Sequence, residues 1–468
     1  MQTVNSQLKL FWKNLSPLTR NLLIFAIFDA IFFNLLVIVF NLKFGDAGVF
    51  KNTPISELRG LLTQRTYNDS WLPMSAAYKF VQSGADGSLY SEIFFKQGIK
   101  FQYPPSSLLF LHILEAGPFA QLLKLASVNA EIIYKQLCRI AIFVTVFFSV
   151  KIFNVSLKKT GRDTLALASK ADLIVRSSAI AWLTFTYYPI YHSFKLGQIQ
   201  TWLNALFAIV LWLWLKDSKR SAGILTGVMC LIKPQSLLLL LWGILRKQWS
   251  FVVPYLATVF IGFGASIIFF GFSNHLEYLK VLSFISRHGE SFFPNQSFNG
   301  LLNRVLFNGN NLFWEGDLFP PFNPVVYYGA TLFSLALVGL ALIRPKNTTE
   351  RGNATDLAII ALTSTIASPV AWEHHYGILG PIYAYLFAHL VSFKPVNKKL
   401  ILLLAISYLL TGRYIPFANF LAFAPFNLNI FQSHIFFGGL LALVMLYLLR
   451  DSKSLFISSK AEQSQQAN

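Results

Sequence analysis

The residues best suited to chemistry lie in a few short polar stretches separated by long apolar runs. The first is Tyr67-Asn68-Asp69-Ser70-Trp71. Ser-Trp-Leu-Pro-Met follows Asp69 and opens a helical stretch, so its carboxylate either caps that helix or acts as a general base. Further polar groups come in Leu196-Gly197-Gln198, in Asn295-Gln296-Ser297 with Arg304, and in Ser368-Pro369-Val370-Ala371-Trp372-Glu373-His374-His375. Asn295-Gln296-Ser297 also matches a glycosylation sequon. His374 and His375 read as interfacial side chains or as two metal ligands lacking a third, because no spaced Cys or carboxylate set accompanies them. Lys195, Arg287, His288, Arg304, His374 and His375 are cations able to neutralise an anionic leaving group, although Arg287 and Arg304 could equally be snorkelling anchors.

The elements that must position these residues are membrane helices. The 468 residues are 54% hydrophobic and 13% charged, with a mean hydropathy of +0.52; soluble domains carry roughly a quarter charged residues. The formal charge of +19 sits largely in short stretches between apolar runs, which is a topology signal and not a nucleic-acid footprint. Cys138 and Cys230 both lie inside apolar runs, which argues against a disulfide framework or a zinc knuckle. The run near Leu22–Leu42 is too long for a signal-peptide core and has no small-residue cleavage site after it, so it reads as a retained span.

A spanning helix needs about 20 apolar residues. Runs of suitable character lie near Leu22–Leu42, Ile132–Phe153, Leu173–Phe194, Thr201–Leu215, Phe251–Phe272, Val325–Ile343, Asp356–Val370, Tyr376–Ser392, Leu400–Thr411 and His434–Leu449. With the basic amino terminus in the cytoplasm, the segments carrying Lys158, Lys159, Arg162 and Lys170, then Lys216, Lys219 and Arg220, then Arg344, Lys346 and Arg351, then Lys394, Lys398 and Lys399 share that side. This holds if Pro104 to Leu125 is a surface or re-entrant helix and Gly223 to Leu245 is two half-helices broken at Lys233-Pro234. The expectation is an all-α polytopic bundle of about 10 to 12 spans, a single domain over 1–450 with a polar cytoplasmic tail over 451–468. Outer loops at about 43–131 and 273–324, the first with juxtamembrane helices, then gather the polar residues at the non-cytoplasmic face. Asp29, inside the first span, should be paired, protonated or near an interface. Lys233 is expected to brace the cytoplasmic half of its hairpin, away from the active site.

The order Asp69, Gly84, Leu89-Tyr90, Tyr103-Pro104-Pro105, Gly197-Gln198, Lys233-Pro234, Asn295-Gln296-Ser297 with Arg304, and Ser368-Pro369 followed by Trp372 and His374-His375 resembles the bacterial polyprenol-phosphate-mannose-dependent α-mannosyltransferases of the C-type glycosyltransferase fold. Two features depart from that pattern: Gln200-Thr201 follows the Gly-Gln pair where asparagine-rich sequence is usual, and an extra stretch covers Lys51 to Arg65. The resemblance implies a plasma-membrane enzyme that takes a hexose, most simply mannose, from a polyprenyl-phosphate sugar to a glycolipid or glycan acceptor, with Asp69 as its catalytic residue. It implies Tyr90, Tyr103, Gln198, Asn295, Gln296, Arg304, His374 and His375 as substrate-binding residues, and Arg287 joins them as a cation expected on the same face. No cofactor and no nucleic acid is expected; a divalent metal is left open. The chemistry agrees, since a polyprenyl phosphate needs only a base for the acceptor and cations for the leaving group. A secondary transporter or lipid-linked sugar flippase is the alternative, but such proteins favour paired broken helices in two equivalent halves, and only Gly223 to Leu245 looks broken.

Overall fold

The computed structural model describes residues 2–44, 53–63, 66–84, 87–116, 130–160, 169–314, 318–343, 352–392, 396–415 and 429–465, with isolated positions between them. Asp86, Pro118, Arg162, Arg344, Lys346, Arg351, Lys394, most of the stretch after Arg413 and the ends of the Lys51 to Arg65 stretch lie outside the described residues. Every regular element among the described residues is helical, and the one β contact is an isolated antiparallel bridge between Asn295 and Trp372.

The helices are α1 (Gln2–Asn14), α2 (Pro17–Phe44), α3 (Pro54–Thr63), α4 (Trp71–Gln82), α5 (Leu109–Glu115), α6 (Ala130–Lys159), α7 (Lys170–Phe185), α8 (Tyr188–Lys195), α9 (Gln200–Leu215) and α10 (Lys219–Ile232). They continue as α11 (Leu237–Leu245), α12 (Trp249–Phe270), α13 (Phe272–His288), α14 (Phe298–Val305), α15 (Pro324–Leu342), α16 (Ala354–Ile366), α17 (Leu379–Leu390), α18 (Lys398–Gly412) and α19 (His434–Gln465). Among the described residues, five stretches are long and apolar enough to cross a membrane: Pro17–Val39, Glu131–Lys159, Trp249–Phe270, Pro324–Leu342 and Asn429–Asp451. The other expected runs form shorter helices. Leu173–Phe194 is not one helix: Tyr187 is extended, Pro189 opens α8, and the run splits into α7 and α8.

The break expected at Lys233-Pro234 is present, and it is a turn-back. Proline disfavours helical backbone at the residue before it, and Lys233 is extended at φ −136° and ψ 111°. The two ends of the α10–α11 unit lie together. Gly223 near the start of α10 packs against the Phe251 carbonyl, where a Cβ would come within 2.2 Å. Trp242 near the end of α11 lies 5.4 Å from Trp214 at the end of α9, and Trp214 lies 5.3 Å from Phe251. At a rise of 1.5 Å per residue α10 is roughly 21 Å long, shorter than a hydrocarbon layer of about 30 Å.

Two buried ion pairs tie distant helices. Asp29 of α2 is held by the Arg413 guanidinium, which also donates to the carbonyls of Thr186 and Gly412. Asp29 is thus paired, as its place within a span requires. Asp356 in the first turn of α16 accepts from Arg246 Nε at 2.6 Å, Trp242 Nε1 at 3.1 Å and the Gly352 amide at 3.1 Å. Arg246 also donates to the Leu342 and Ile343 carbonyls that end α15, satisfying acceptors a helix terminus leaves open.

Candidate active site

Asp69 is placed by backbone pairing. The Tyr67 and Asp69 amides donate to the carbonyls of Lys195 and Leu196 at 2.9 and 3.0 Å. This close approach depends on Gly197, whose φ is +67° and where a Cβ would sit 1.9 Å from the Tyr67 carbonyl oxygen. Trp71, stacked on Tyr134 at 4.6 Å and tilted against Trp202 at 5.1 Å, anchors α4 just beyond. Ser70 is the residue before α4 and makes no capping bond; the Asp69 carboxylate does not cap the helix but accepts from Gln198 Nε2.

Gln198 is oriented by its other end. Its Oε1 accepts from Ser70 Oγ at 2.6 Å and from the Tyr103 hydroxyl at 3.3 Å, which turns the amide NH₂ toward Asp69. Ser70 Oγ in turn accepts from the Ile199 amide at 3.1 Å. Asp69 stays accessible at the cavity, while protein crowds its other sides. That desolvation raises its pKa above the ordinary 3.8, with the Gln198 hydrogen bond opposing the rise.

Asp69 lines a cavity of about 510 Å³ together with Lys100, Tyr103, Gln198, Lys233, Trp314, Trp372 and His375. Lys233 at the tip of the α10–α11 hairpin lines this cavity together with Asp69, which corrects the expectation that it lies apart from the candidate site. Its Nζ donates to Gln200 Oε1 at 2.8 Å and to His375 Nε2 at 2.7 Å. Burial and the nearby Lys233 charge hold the His375 pKa well below its usual range, so the ring is the neutral acceptor, and burial also lowers the pKa of Lys233 itself, to about 7. An ammonium has three donors, and no carboxylate among the described residues pairs with Lys233. Lys100 contributes a second cation. It pairs with Glu290 at 3.3 Å, donates to the Leu318 carbonyl at 2.9 Å and lies 4.1 Å from the ring centres of Trp314 and Phe319.

Of the residues expected to bind substrate, Tyr103, Gln198 and His375 line the cavity with Asp69; the others do not. Tyr90 is fully buried, and its hydroxyl donates to the Tyr103 carbonyl at 2.6 Å, so it supports a wall residue. Asn295 is also fully buried. It donates to the Glu290 carbonyl at 2.8 Å and accepts from the Ala371 amide at 2.9 Å, joining the two loops that meet at the Asn295–Trp372 bridge. That burial removes it as a glycosylation acceptor in the folded chain. Gln296 donates to the Gln432 carbonyl at 2.7 Å, and Ser297 caps α14 through the Gly300 amide at 3.0 Å.

Arg304 sits behind the wall, donating to the Asn295 carbonyl at 2.9 Å and Ser433 Oγ at 2.6 Å. Arg287 is exposed away from the cavity, and His288 Nδ1 bonds the Pro320 carbonyl at 2.9 Å. His374 is buried beside His192, its ring centre 6.4 Å away. Glu373, bonded by the Tyr188 hydroxyl at 2.8 Å, has its pKa pushed up to about 7 by burial. Lys100 and Trp314 escaped sequence reasoning, since each stands alone between apolar or polar neighbours with no motif around it. Among the described residues no group of three His, Cys, Asp or Glu side chains could hold a metal ion.

A glycosyltransferase family 87 profile matches residues 101–369, more than half of the chain. The chain belongs to glycosyltransferase family 87. The family 87 match carries the Gln102-Tyr103 wall, Gln198, the Lys233 hairpin and the Ser364 to Pro369 side of the cavity, while Trp372 and His375 fall just after it and Asp69 lies well before its start. No curated protein matches the chain.

Proposed function

We propose that this membrane glycosyltransferase moves a hexose, mannose by the family resemblance, from a polyprenyl phosphate to a hydroxyl of a glycolipid or glycan acceptor, with inversion. The observation that carries the reading is one cavity lined both by an accessible carboxylate, Asp69, and by a lysine without a carboxylate partner among the described residues, Lys233. In the reaction Asp69 removes the acceptor hydroxyl proton as that oxygen bonds to the anomeric carbon. The bond from that carbon to the phosphate oxygen breaks, and its electron pair leaves with polyprenyl monophosphate. Lys233, positioned by Gln200 and His375, and Lys100 stabilise the developing phosphate charge. Attack from the side opposite the phosphate gives an α product from a β-linked donor. Proton transfer by a base of raised pKa suits a neutral operating range.

The reading places the site at the non-cytoplasmic side of a cell membrane. Lys216, Lys219, Arg220 and Lys247 flank both feet of the hairpin, as expected of a cytoplasmic rim. From there a hairpin of about 21 Å lifts Lys233 toward the opposite surface. No cytoplasmic segment expected from the charge pattern is long enough for a nucleotide-binding βαβ unit of roughly 30 residues. Purified enzyme supplied with polyprenyl-phosphate mannose and a sugar acceptor should form product, while a nucleotide sugar in the absence of lipid should not. Transfer from the nucleotide sugar alone would refute the donor assignment.

A further inference from the structure

A second pocket, of about 620 Å³ and so within the size range of small-molecule sites, lies at the elbow between α1 and α2. Lys9, Phe11, Trp12, Lys13, Arg20 and Leu23 line it, and it shares no residue with the cavity that holds Asp69. The sequence builds this elbow. Pro17 opens α2, where its missing donor costs nothing, and Ser16 Oγ accepts from the Thr19 amide at 3.2 Å. The Ser16 amide donates to the Asp172 carboxylate of α7 at 2.6 Å and Leu15 is buried, so the start of α2 is tied to the bundle. Helix α1 is uncovered beside it: Lys9, Leu10, Phe11, Trp12 and Lys13 are all exposed. Lys9 and Lys13, four residues apart, stand one turn apart on one side of α1. Arg20 heads a stripe at helical spacing along α2, continued by Leu23, Ile27, Ile31, Leu35 and Ile38, the last four 47% to 54% exposed. Among the described residues no carboxylate pairs with Lys9, Lys13 or Arg20, and Arg20 Nε is shielded from water without a hydrogen-bond partner.

We propose that this pocket binds the phosphate of an anionic phospholipid, with the acyl chains of that lipid lying along the exposed stripe of α2. Three cations meet there with no acid among the described residues to neutralise them, and a phosphodiester supplies the missing charge. The stripe belongs to Pro17–Val39, a segment long and apolar enough to cross a membrane, so headgroup and chains find one continuous surface. Exposed Leu10, Phe11 and Trp12 beside two lysines are the composition of a helix lying in the interface plane, where aromatic rings sit at headgroup level. A free phosphate engages the same cations but gains nothing from the stripe, and a zwitterionic lipid brings its own cation to a site that already carries three. The site does not depend on the donor assignment, because none of its residues lines the cavity that holds Asp69.

The test compares lipids that differ only in headgroup charge. Full-length protein in detergent is titrated with phosphatidylglycerol and with phosphatidylcholine of identical acyl chains, and bound lipid is read by native mass spectrometry. Wild type should favour phosphatidylglycerol about tenfold or more, and Lys9→Gln/Lys13→Gln/Arg20→Gln should lower that ratio about tenfold. Lys158→Gln/Lys159→Gln/Lys399→Gln removes the same charge from exposed lysines elsewhere and should leave the ratio unchanged. A ratio that survives the first triple substitution, or falls equally in the second, overturns the site. Melting without lipid reports whether the first variant folds. If it does not, Lys9→Gln/Lys13→Gln, which touches only exposed side chains, should still lower the ratio about fivefold, and no change there overturns the proposal. Lys9→Arg/Lys13→Arg keeps the charge and should keep the preference. Inorganic phosphate should not displace the lipid; displacement at millimolar phosphate would assign the pocket to the free anion and overturn the lipid assignment.

Discussion

Asp69 and Asp356 are the same side chain used in opposite ways. Asp356 is fully buried at the first turn of α16 and receives hydrogen bonds from Arg246, Trp242 and a backbone amide, with no free valence toward a cavity. Asp69 receives one side-chain bond among the described residues, from Gln198, and keeps the rest of its carboxylate open to a cavity that also holds Lys233, for which no acidic partner is found among the described residues. The first arrangement neutralises a charge where it is costly and locks three segments together. The second leaves a charge incompletely satisfied, so that a substrate hydroxyl and phosphate can complete it. Asp29 with Arg413 follows the first pattern, and Lys233 follows the second.

Making one substitution at both positions is the strongest way to break this comparison. Asp69→Asn keeps the shape and an acceptor oxygen but loses the proton acceptor, so transfer should fall on the order of 10²–10⁴-fold. Thermal stability should stay near wild type or rise slightly. Because the folded pKa of Asp69 lies above its unfolded value, the ionised carboxylate opposes folding once pH exceeds the unfolded value, and Asn removes that penalty. Sugar transfer at matched folded concentration, alongside melting in detergent, decides this; near-normal turnover would remove Asp69 from the mechanism. Asp356→Asn should do the reverse. It leaves the Arg246 guanidinium buried without its counter-charge, a loss of about 3–5 kcal/mol, while turnover per folded molecule stays close to wild type. A chemical-denaturation series read against activity would expose any contrary result, such as an inactive protein of unchanged stability.

The same contrast explains what was legible in the sequence. Apolar runs and loop charges are local signals, so helices such as α2, α6, α12 and α15 could be located to within a few residues. The turn-back at Lys233 was legible because proline acts on the residue before it. What Lys233 faces was not, since its partners Gln200 and His375 arrive from distant segments. Arg304 shows the converse error. An arginine in a polar outer loop looks like a phosphate ligand, yet here it gathers the Asn295 carbonyl and Ser433 Oγ behind the wall. Asp29 announced its need for a partner, but Arg413 lies 384 residues away. The Gly197-Gln198 pair was the most informative short motif, because a positive φ and a close backbone approach both demand glycine there.

The smallest expected effect is the one that bears most directly on how Asp69 is tuned. Gln198→Leu keeps the bulk over Asp69, and therefore most of the desolvation, but removes the hydrogen bond that favours the charged form. The Asp69 pKa should then rise further above its ordinary value, because the opposing influence is gone while the raising one remains. A base must be unprotonated to act, so the acidic limb of kcat/KM should move to higher pH, with a loss that shrinks as pH increases. Ser70 and Tyr103 would also lose an acceptor, which lowers the rate at every pH by a common factor. The two effects separate in one profile: a displaced limb reports the tuning of Asp69, and a uniform drop reports misplaced wall residues. At neutral pH a shift of one unit changes the ionised fraction by no more than about tenfold, well below the loss expected for Asp69→Asn. An acidic limb that stays fixed in Gln198→Leu, or moves to lower pH, would mean that Gln198 does not set the basicity of Asp69, and the single bond that distinguishes this aspartate from Asp356 would be structural as well.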